Sequence, residues 1–512
     1  MSESTNNSGM GFSRRSFLKS MGAAAAFTIA PSSILGKSVS GQNAPSDMVN
    51  VCGIGVGAQG GSDIRNIATP EEEVKRGVGY PNTSISGRYP GLAPQRPGPA
   101  IVVNQLGAAA ERKSFKYANI YALCDVDTEY AGHILNAYPN AQKYTDWHKV
   151  MDNKEIDAVV IGTPDHNHAI IAANAMLSGK HVVVEKPMAK TVYECRYLRK
   201  LAQVTGKVTQ MGNQGHNNEG GYQAKEWIQG GEIGDVTEVK IWSNRPIWRQ
   251  GYYNRPNPAA VPESLDYDTW LGPAPFKSYH PETVHFNWRG LADYGTGALG
   301  DMGAHQIDAP LMALELGLPK TIQSTSTPFN NEYLPLSEFV QFEFPARGKF
   351  PACTLTWSDG GIKPMRPAEM EDGRSLQEVL YIGSKGKMMQ STYNATPQFI
   401  PNRPDWKAPA PTLKRPMGNI YVDFIDAIKT KRKANNDFSH AGILTEIMLL
   451  TNVANMCQQM STILQYDSAK MKITNLPKAN QFLHYQYRTG WELPQMNKIL
   501  PLRRTEDGWE LV

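Results

Sequence analysis

The chain has 512 residues, 41% of them hydrophobic and 20% charged, which suits a globular protein with a sizeable core spread over two domains. Its formal charge is +4, and Arg14, Arg15, Lys19 and Lys37 against Glu3 supply +3 of that, so the rest of the chain is almost neutral and ill suited to a nucleic-acid partner. The five cysteines (Cys52, Cys124, Cys195, Cys353 and Cys457) fit no zinc or redox spacing, and their odd number leaves a free thiol, so stability rests on the core and not on a disulfide scaffold.

The first element is a leader. Ser13-Arg14-Arg15 precedes Phe17-Leu18-Lys19 and an apolar run from Met21 to Ala30. The pattern resembles a twin-arginine (Tat) export signal, and it predicts periplasmic export of a folded protein by the Tat machinery. The run is too short for a stable membrane anchor, and Ser38-Val39-Ser40 offers small residues for cleavage. Residues 1–40 are therefore expected to be a signal peptide.

Next come alternating strands and helices. Residues 48–54, 119–124, 156–161 and 181–184 read as buried strands, and residues 168–178 have helical periodicity ending at Gly179. Continuous apolar strands separated by helices predict a parallel sheet covered on both faces. Gly55-Val56-Gly57-Ala58-Gln59-Gly60 follows the first strand directly. In this G-x-G-x-x-G turn the first glycine allows the bend, the second lets the backbone approach a pyrophosphate, and the third lets the helix pack on the strand. The acid that holds the adenosine ribose should follow about 20 residues on. Here the second strand ends 65 residues after Gly60, at Asp125, with Asp127 close by. A long insertion at about 68–116 accounts for the gap, and an acid at either position would repel a 2′-phosphate, favouring NAD as cofactor.

After about residue 205 the texture changes. Residues 236–242, 337–344, 352–358 and 379–382 alternate like strands of an antiparallel sheet, and residues 420–429 and 442–461 read as helices. Residues 244–290 are rich in Pro, Trp, Tyr and Asn and read as long ordered loops. The expected organisation is α/β: a parallel, dinucleotide-binding domain over 48–205, a mostly antiparallel second domain over 206–465, and a surface tail over 466–512.

Two further stretches, Thr163-Pro164-Asp165-His166-Asn167-His168 and Glu185-Lys186-Pro187, follow the third and fourth strands. Later come Trp270-Leu271-Gly272-Pro273 and the run Gly297 to Asp308, which holds Asp301 and His305. Together with the glycine turn, these resemble the Gfo/Idh/MocA family, the glucose–fructose oxidoreductase and inositol dehydrogenase relatives, and in particular its exported sugar-acting branch. The resemblance implies that Lys186, Asp301 and His305 are catalytic and that Asp301 and His305 bind sugar hydroxyls. It also implies an N-terminal Rossmann domain followed by an α/β domain with a large open, mostly antiparallel sheet, a small carbohydrate or glycoside substrate, and a homo-oligomer formed on that sheet.

The residues themselves add candidates. Gly55, Gly57, Gln59, Gly60, Asp125, Thr163, Asn167, His168, Asn213 and Gln214 are placed at the cofactor, and the resemblance adds Glu185 and Lys186 there. His216, Trp288 and Arg289 are placed at the substrate, because aromatic faces flanked by polar donors suit a pyranose. Asn213, Gln214 and His216 read equally as an interdomain turn. Asp301 and His305 stand one helical turn apart, and no third residue is spaced to complete a metal site with them. Oxidation of a secondary hydroxyl, at carbon 3 by analogy, is the expected reaction. The alternative is NAD-dependent glycoside hydrolysis by oxidation, elimination, hydration and re-reduction, with Tyr294, His216 or His285 as the extra base.

Overall fold

The computed structural model describes residues 48–67, 118–416, 418–460 and 463–512. The leader and the insertion lie outside the described residues. Six strands, β1 (Val49–Ile54), β2 (Ala118–Cys124), β3 (Gln142–Tyr144), β4 (Ala158–Ile161), β5 (His181–Val184) and β6 (Thr209–Met211), form one sheet in the order β3-β2-β1-β4-β5-β6. Every pairing in it is parallel. The strand order reverses between β1 and β4, the point where open α/β sheets bind ligands.

Alternate residues of the central strands enter two different cores. Val159, Ile161, Val182 and Val184 pack with helix α2 (Asp165–Leu177) and helix α3 (Val192–Thr205). Ala158, Val160 and Val183 pack on the other face with Ile64 and Ile67 of helix α1 (Gln59–Ile67). Both faces are thus covered, which is why these strands carry no alternating polar residues. Helix α3 begins with a capping box, Thr191 with Glu194, and ends at Gly206 with φ 62°. Loss of the Thr191 hydroxyl would cost about 1 kcal/mol.

Nine strands form the second sheet. They are β7 (Val236–Trp242), β8 (Thr321–Ser326), β9 (Glu338–Phe344), β10 (Cys353–Ser358), β11 (Val379–Gly383), β12 (Gly386–Gln390), β13 (Gln398–Ile400), β14 (Leu464–Asp467) and β15 (Lys472–Ile473). Their order is β13-β12-β11-β7-β10-β9-β8-β14-β15, and only β7 and β10 pair in parallel. In β9, Val340, Phe342 and Phe344 point inward while Phe339, Gln341 and Glu343 face out. The expected fold class, a parallel Rossmann sheet followed by a large, mostly antiparallel one, is the one observed.

Helix α4 (Gly297–Gln306) lies in the second half of the chain, and helix α6 (Phe438–Cys457) packs against α3, α4 and β8. Helix α5 (Ile420–Thr430), grouped with the second domain from sequence, buries Ile420, Tyr421 and Phe424 in the core beneath the first sheet. The tail is also more than a surface wrap. Leu483, Tyr487, Leu493 and Ile499 are buried in the main core, and the Tyr487 hydroxyl donates to Glu194 at 2.9 Å. Its apolar residues follow neither helical nor strand periodicity, so their burial leaves no periodic signal. Among the described residues no helix is long and apolar enough to cross a membrane.

Candidate active site

A cavity of about 400 Å³ opens at the carboxyl ends of β1, β2, β4 and β5. Gly55, which ends β1, has φ +76°, and a side chain there would meet Thr163. A Cβ on Gly60 would lie 2.2 Å from the Gly55 carbonyl oxygen, so any larger residue would push α1 off the turn. Asp125, just past β2, is buried. Its Oδ2 accepts from the Gly57 N–H at 3.0 Å and its Oδ1 from the Asp127 N–H at 3.0 Å. Burial raises its pKa to about 6. Asp127 is engaged elsewhere: it accepts from the Tyr130 N–H and pairs with His285 Nε2, both at 3.0 Å. Burial opposes its ionisation, yet these bonds hold it near 2.

These residues fit a dinucleotide. Gly55 and Gly57 line the cavity without a side chain, at positions where a Cβ would meet Thr163 and the Tyr130 ring, and the Thr163 Oγ1 is buried with no protein partner beside it. Gly55, Gly57 and Gly60 would hold the pyrophosphate with the N-terminal N–H groups of α1, and Asp125 the ribose. Gln59 lines the cavity but spends its amide on Asp63 at 2.8 Å. Glu185 accepts from Gln214 at 2.8 Å. Burial and the neighbouring Asp63 push its pKa far above the usual carboxylate range.

Beside Glu185, Lys186 stands two residues past β5, and its bond to Pro187 is cis. Its Nζ donates to Asp301 Oδ1 at 2.6 Å and to the Asp301 carbonyl at 3.1 Å. Burial alone would neutralise this pair. Lys186 and Arg289 nevertheless hold Asp301 near 2, while Asp301 and Glu185 keep the lysine pKa raised. One turn along α4, His305 is buried, and burial together with the Lys186 charge lowers its pKa to about 3. Its Nδ1 lies 3.0 Å from Asn213 Oδ1, which can only accept, so Nδ1 carries the hydrogen and Nε2 is the free base. The Tyr393 ring packs on this imidazole with centroids 4.5 Å apart.

The remaining wall comes from the long loops. Arg245, Ile247, Trp248, Trp270, Phe286, Trp288 and Arg289 all line the cavity. Trp242 instead donates to the Gln377 carbonyl at 3.0 Å, and Tyr252 is exposed.

The other sequence candidates are placed differently. Asn213 and His216 are buried behind the cavity wall, Asn213 against His305 and His216 against Asp308. Asn167, expected at the cofactor, gives its amide to the Trp270 carbonyl at 2.8 Å and fastens the second-domain loop. His168 lines the cavity but spans the Thr163 and Pro187 carbonyls, each at 2.7 Å. Of the extra-base candidates, Tyr294 is fully buried and accepts from Arg255 at 3.1 Å, and only His285 reaches the cavity. Among the described residues, His216, Asp308 and His440 bring potential ligand atoms within 4.8 Å of one another. Asn394 also donates to Asp308 at 2.9 Å, so the carboxylate is already hydrogen-bonded on both oxygens. Sequence reasoning missed Tyr393 and the Asp63–Tyr421–Glu185 network. Tyr393 comes from an irregular stretch 88 positions after His305, and nothing local marks it.

A dinucleotide cradle facing a cation, a carboxylate and a neutral imidazole is the cleft of a two-domain oxidoreductase of the Rossmann class. The chain belongs to the Gfo/Idh/MocA oxidoreductase family. Residues 236–493 match its C-terminal alpha/beta domain, and residues 102–213 match its NAD-binding Rossmann fold. The second match begins inside the insertion, leaving the glycine turn outside it. Inositol 2-dehydrogenase of Salmonella typhimurium is 32% identical over 122 residues, 23% of this chain and 36% of that protein. Levoglucosan dehydrogenase of Pseudarthrobacter phenanthrenivorans is 27% identical over 207 residues, 40% of this chain and 45% of that protein. The chain thus spans less than half the length of these curated relatives. The structure of GenD2 from gentamicin A biosynthesis, in complex with NAD, shares the fold at a TM-score of 0.50 and 16% identity, covering 83% of this chain and 99% of that one.

Proposed function

We propose that the protein is an NAD-dependent oxidoreductase acting on a secondary hydroxyl of a sugar or glycoside, at carbon 3. The observation that carries this reading is the Lys186–Asp301–His305 group beside the glycine turn in one cavity. Nicotinamide, when bound, supplies the hydride acceptor. The chain's own residues handle the proton. His305 Nε2 takes it from the substrate hydroxyl, its Nδ1–H held by Asn213. The Lys186 ammonium, fixed by Asp301, stabilises the oxygen as it loses that proton. Trp248, Trp270 and Trp288 line the cavity and give it apolar surface suited to a pyranose.

Twin-arginine export to the periplasm with NAD already bound follows from the leader, and a homo-oligomer would bury the outer face of the second sheet. Incubation of the purified protein with assorted glycosides, followed by mass analysis, tests the reaction. A product lighter by two mass units supports oxidation. Free sugar released without net redox supports the hydrolytic alternative. No change with any sugar sinks both.

A further inference from the structure

Arginines in the loops of the second domain fall into two sets. Arg249 and Arg255 each meet a carboxylate, Glu282 at 2.6 Å and Glu332 at 2.5 Å. Arg245 and Arg289, which line the cavity, have none within ion-pair distance among the described residues. Arg289 donates to the Phe286 carbonyl at 3.1 Å and lies 4.4 Å from the Trp288 ring centre. Arg245 donates to the Asn244 side-chain oxygen at 2.7 Å. Both acceptors are neutral, and both residues are half-buried.

The other charges in the cavity do not balance this pair. Asp301 is spent on Lys186, and Asp165 accepts from Thr296 at 2.6 Å while burial raises its pKa. Asp125 sits at the far end, beside the glycine turn. The cofactor phosphates belong at that turn and the start of α1. Arg289 and Arg245 instead act on the reacting side, where Arg289 helps hold Asp301 ionised and Arg245 weighs on His305. A guanidinium between aromatic rings, with most of its N–H donors unspent, is shaped for a planar anion taken up by two parallel hydrogen bonds.

We propose that the substrate is an acidic sugar, a uronic acid or uronoside, whose carboxylate is received at the wall formed by Arg245 and Arg289. This rests on the reading of the protein as a sugar oxidoreductase. The test compares methyl glucuronoside and galacturonoside with the matching neutral glycosides and with the 6-phosphates, by initial rates and by thermal shift of the NAD-loaded protein. Charge-assisted hydrogen bonds predict kcat/KM about 10- to 100-fold higher for the uronosides. Arg245→Gln and Arg289→Gln should narrow that preference by raising KM for the acid, with NAD affinity unchanged. Equal or better turnover of neutral sugars would overturn the proposal and leave the oxidoreductase reading standing, as would a preference for phosphate esters. Variants that weaken NAD but keep the acid preference would overturn it too. If no sugar reacts, the oxidoreductase reading falls, and a uronoside that also gives no thermal shift removes this proposal independently.

Discussion

The two walls of the cavity solve opposite electrostatic problems. The Rossmann wall is built of backbone and of acids that burial drives toward the neutral form, Asp125 near 6 and Glu185 higher still, with Asp63 near 6 beneath them. Facing it is a group of charges kept ionised against burial, Asp301 of α4 near 2 and Lys186, from the end of β5, raised. On the first, the cofactor's pyrophosphate would meet the N–H groups of the glycine turn and α1 and no ionised side chain. In the proposed reaction the second serves the substrate hydroxyl, since a fixed cation beside a neutral imidazole favours loss of its proton. The difference teaches that one wall binds by shape and the other works by charge. Substitutions should divide accordingly.

The largest effect is expected on the charged wall. Lys186→Ala and His305→Ala should each slow turnover by about 10²–10⁴-fold while keeping NAD and a near-parental melting temperature. Single-turnover rates and NAD content after gel filtration check both halves of this statement. The double variant should lose less than the product of the two, because both groups act on one proton. If NAD is lost with either residue, the division between the walls is wrong.

On the other wall the corresponding change is steric. Gly60→Ala places a carbon 2.2 Å from backbone that cannot yield cheaply. Overpacking of this kind costs about 1–3 kcal/mol, and here it should appear as lost NAD affinity and a lower melting temperature. Isothermal titration with NAD and a melting curve measure it. Unchanged affinity would mean that the turn can open without disturbing the cradle.

Asn213 is buried, touches no cavity surface and still governs the charged wall. Asn213→Ala should cut kcat about tenfold with little change in KM, since the imidazole would no longer be held in one tautomer. Asn213→Asp is more informative. It sets a negative charge against Nδ1 and raises the His305 pKa from about 3. The base must be neutral, so kcat/KM in this variant should fall as pH drops through the raised value. The parent should show no such limb near neutrality. A parental pH profile in Asn213→Asp would remove Asn213 from this role.

Legibility in the sequence follows the same division. The glycine turn, Glu185-Lys186-Pro187 and the Asp301–His305 pair were readable because each is local, with spacing set by one turn or one helix. The parallel sheet was readable because its strands are apolar without alternation. Asn213 was noticed but placed at the cofactor, since nothing in a strand-end tripeptide reveals that an α4 histidine 92 residues later leans on it. Tyr393, the α5 packing and the buried tail depend on chain crossings between distant segments, which leave no periodic trace.

The smallest effect concerns Asp125, and it separates shape from charge within the Rossmann wall. Its pKa lies near 6 in the folded protein because burial outweighs the two backbone N–H groups and the His285 charge that favour ionisation. The ribose hydroxyls donate hydrogen bonds, so NAD should prefer the ionised acid. Below pH 6 the free protein carries a proton there that must leave on binding. NAD affinity should therefore fall as pH drops, by about tenfold between pH 7 and pH 5 if the ionised form alone binds well. Asp125→Asn should flatten this dependence and weaken discrimination against NADP, because charge repulsion of a 2′-phosphate is gone. At pH 7 its loss of NAD affinity should be modest, as most of the binding comes from the glycine turn. Asp63, also near 6, is the rival source of such a slope, but it faces Tyr421 and Gln59 and does not line the cavity. Titration of NAD at pH 5 and pH 7 into Asp125→Asn and Asp63→Asn decides between them. A slope that survives in Asp125→Asn and vanishes in Asp63→Asn would move the proton from the ribose acid to the network beneath Glu185.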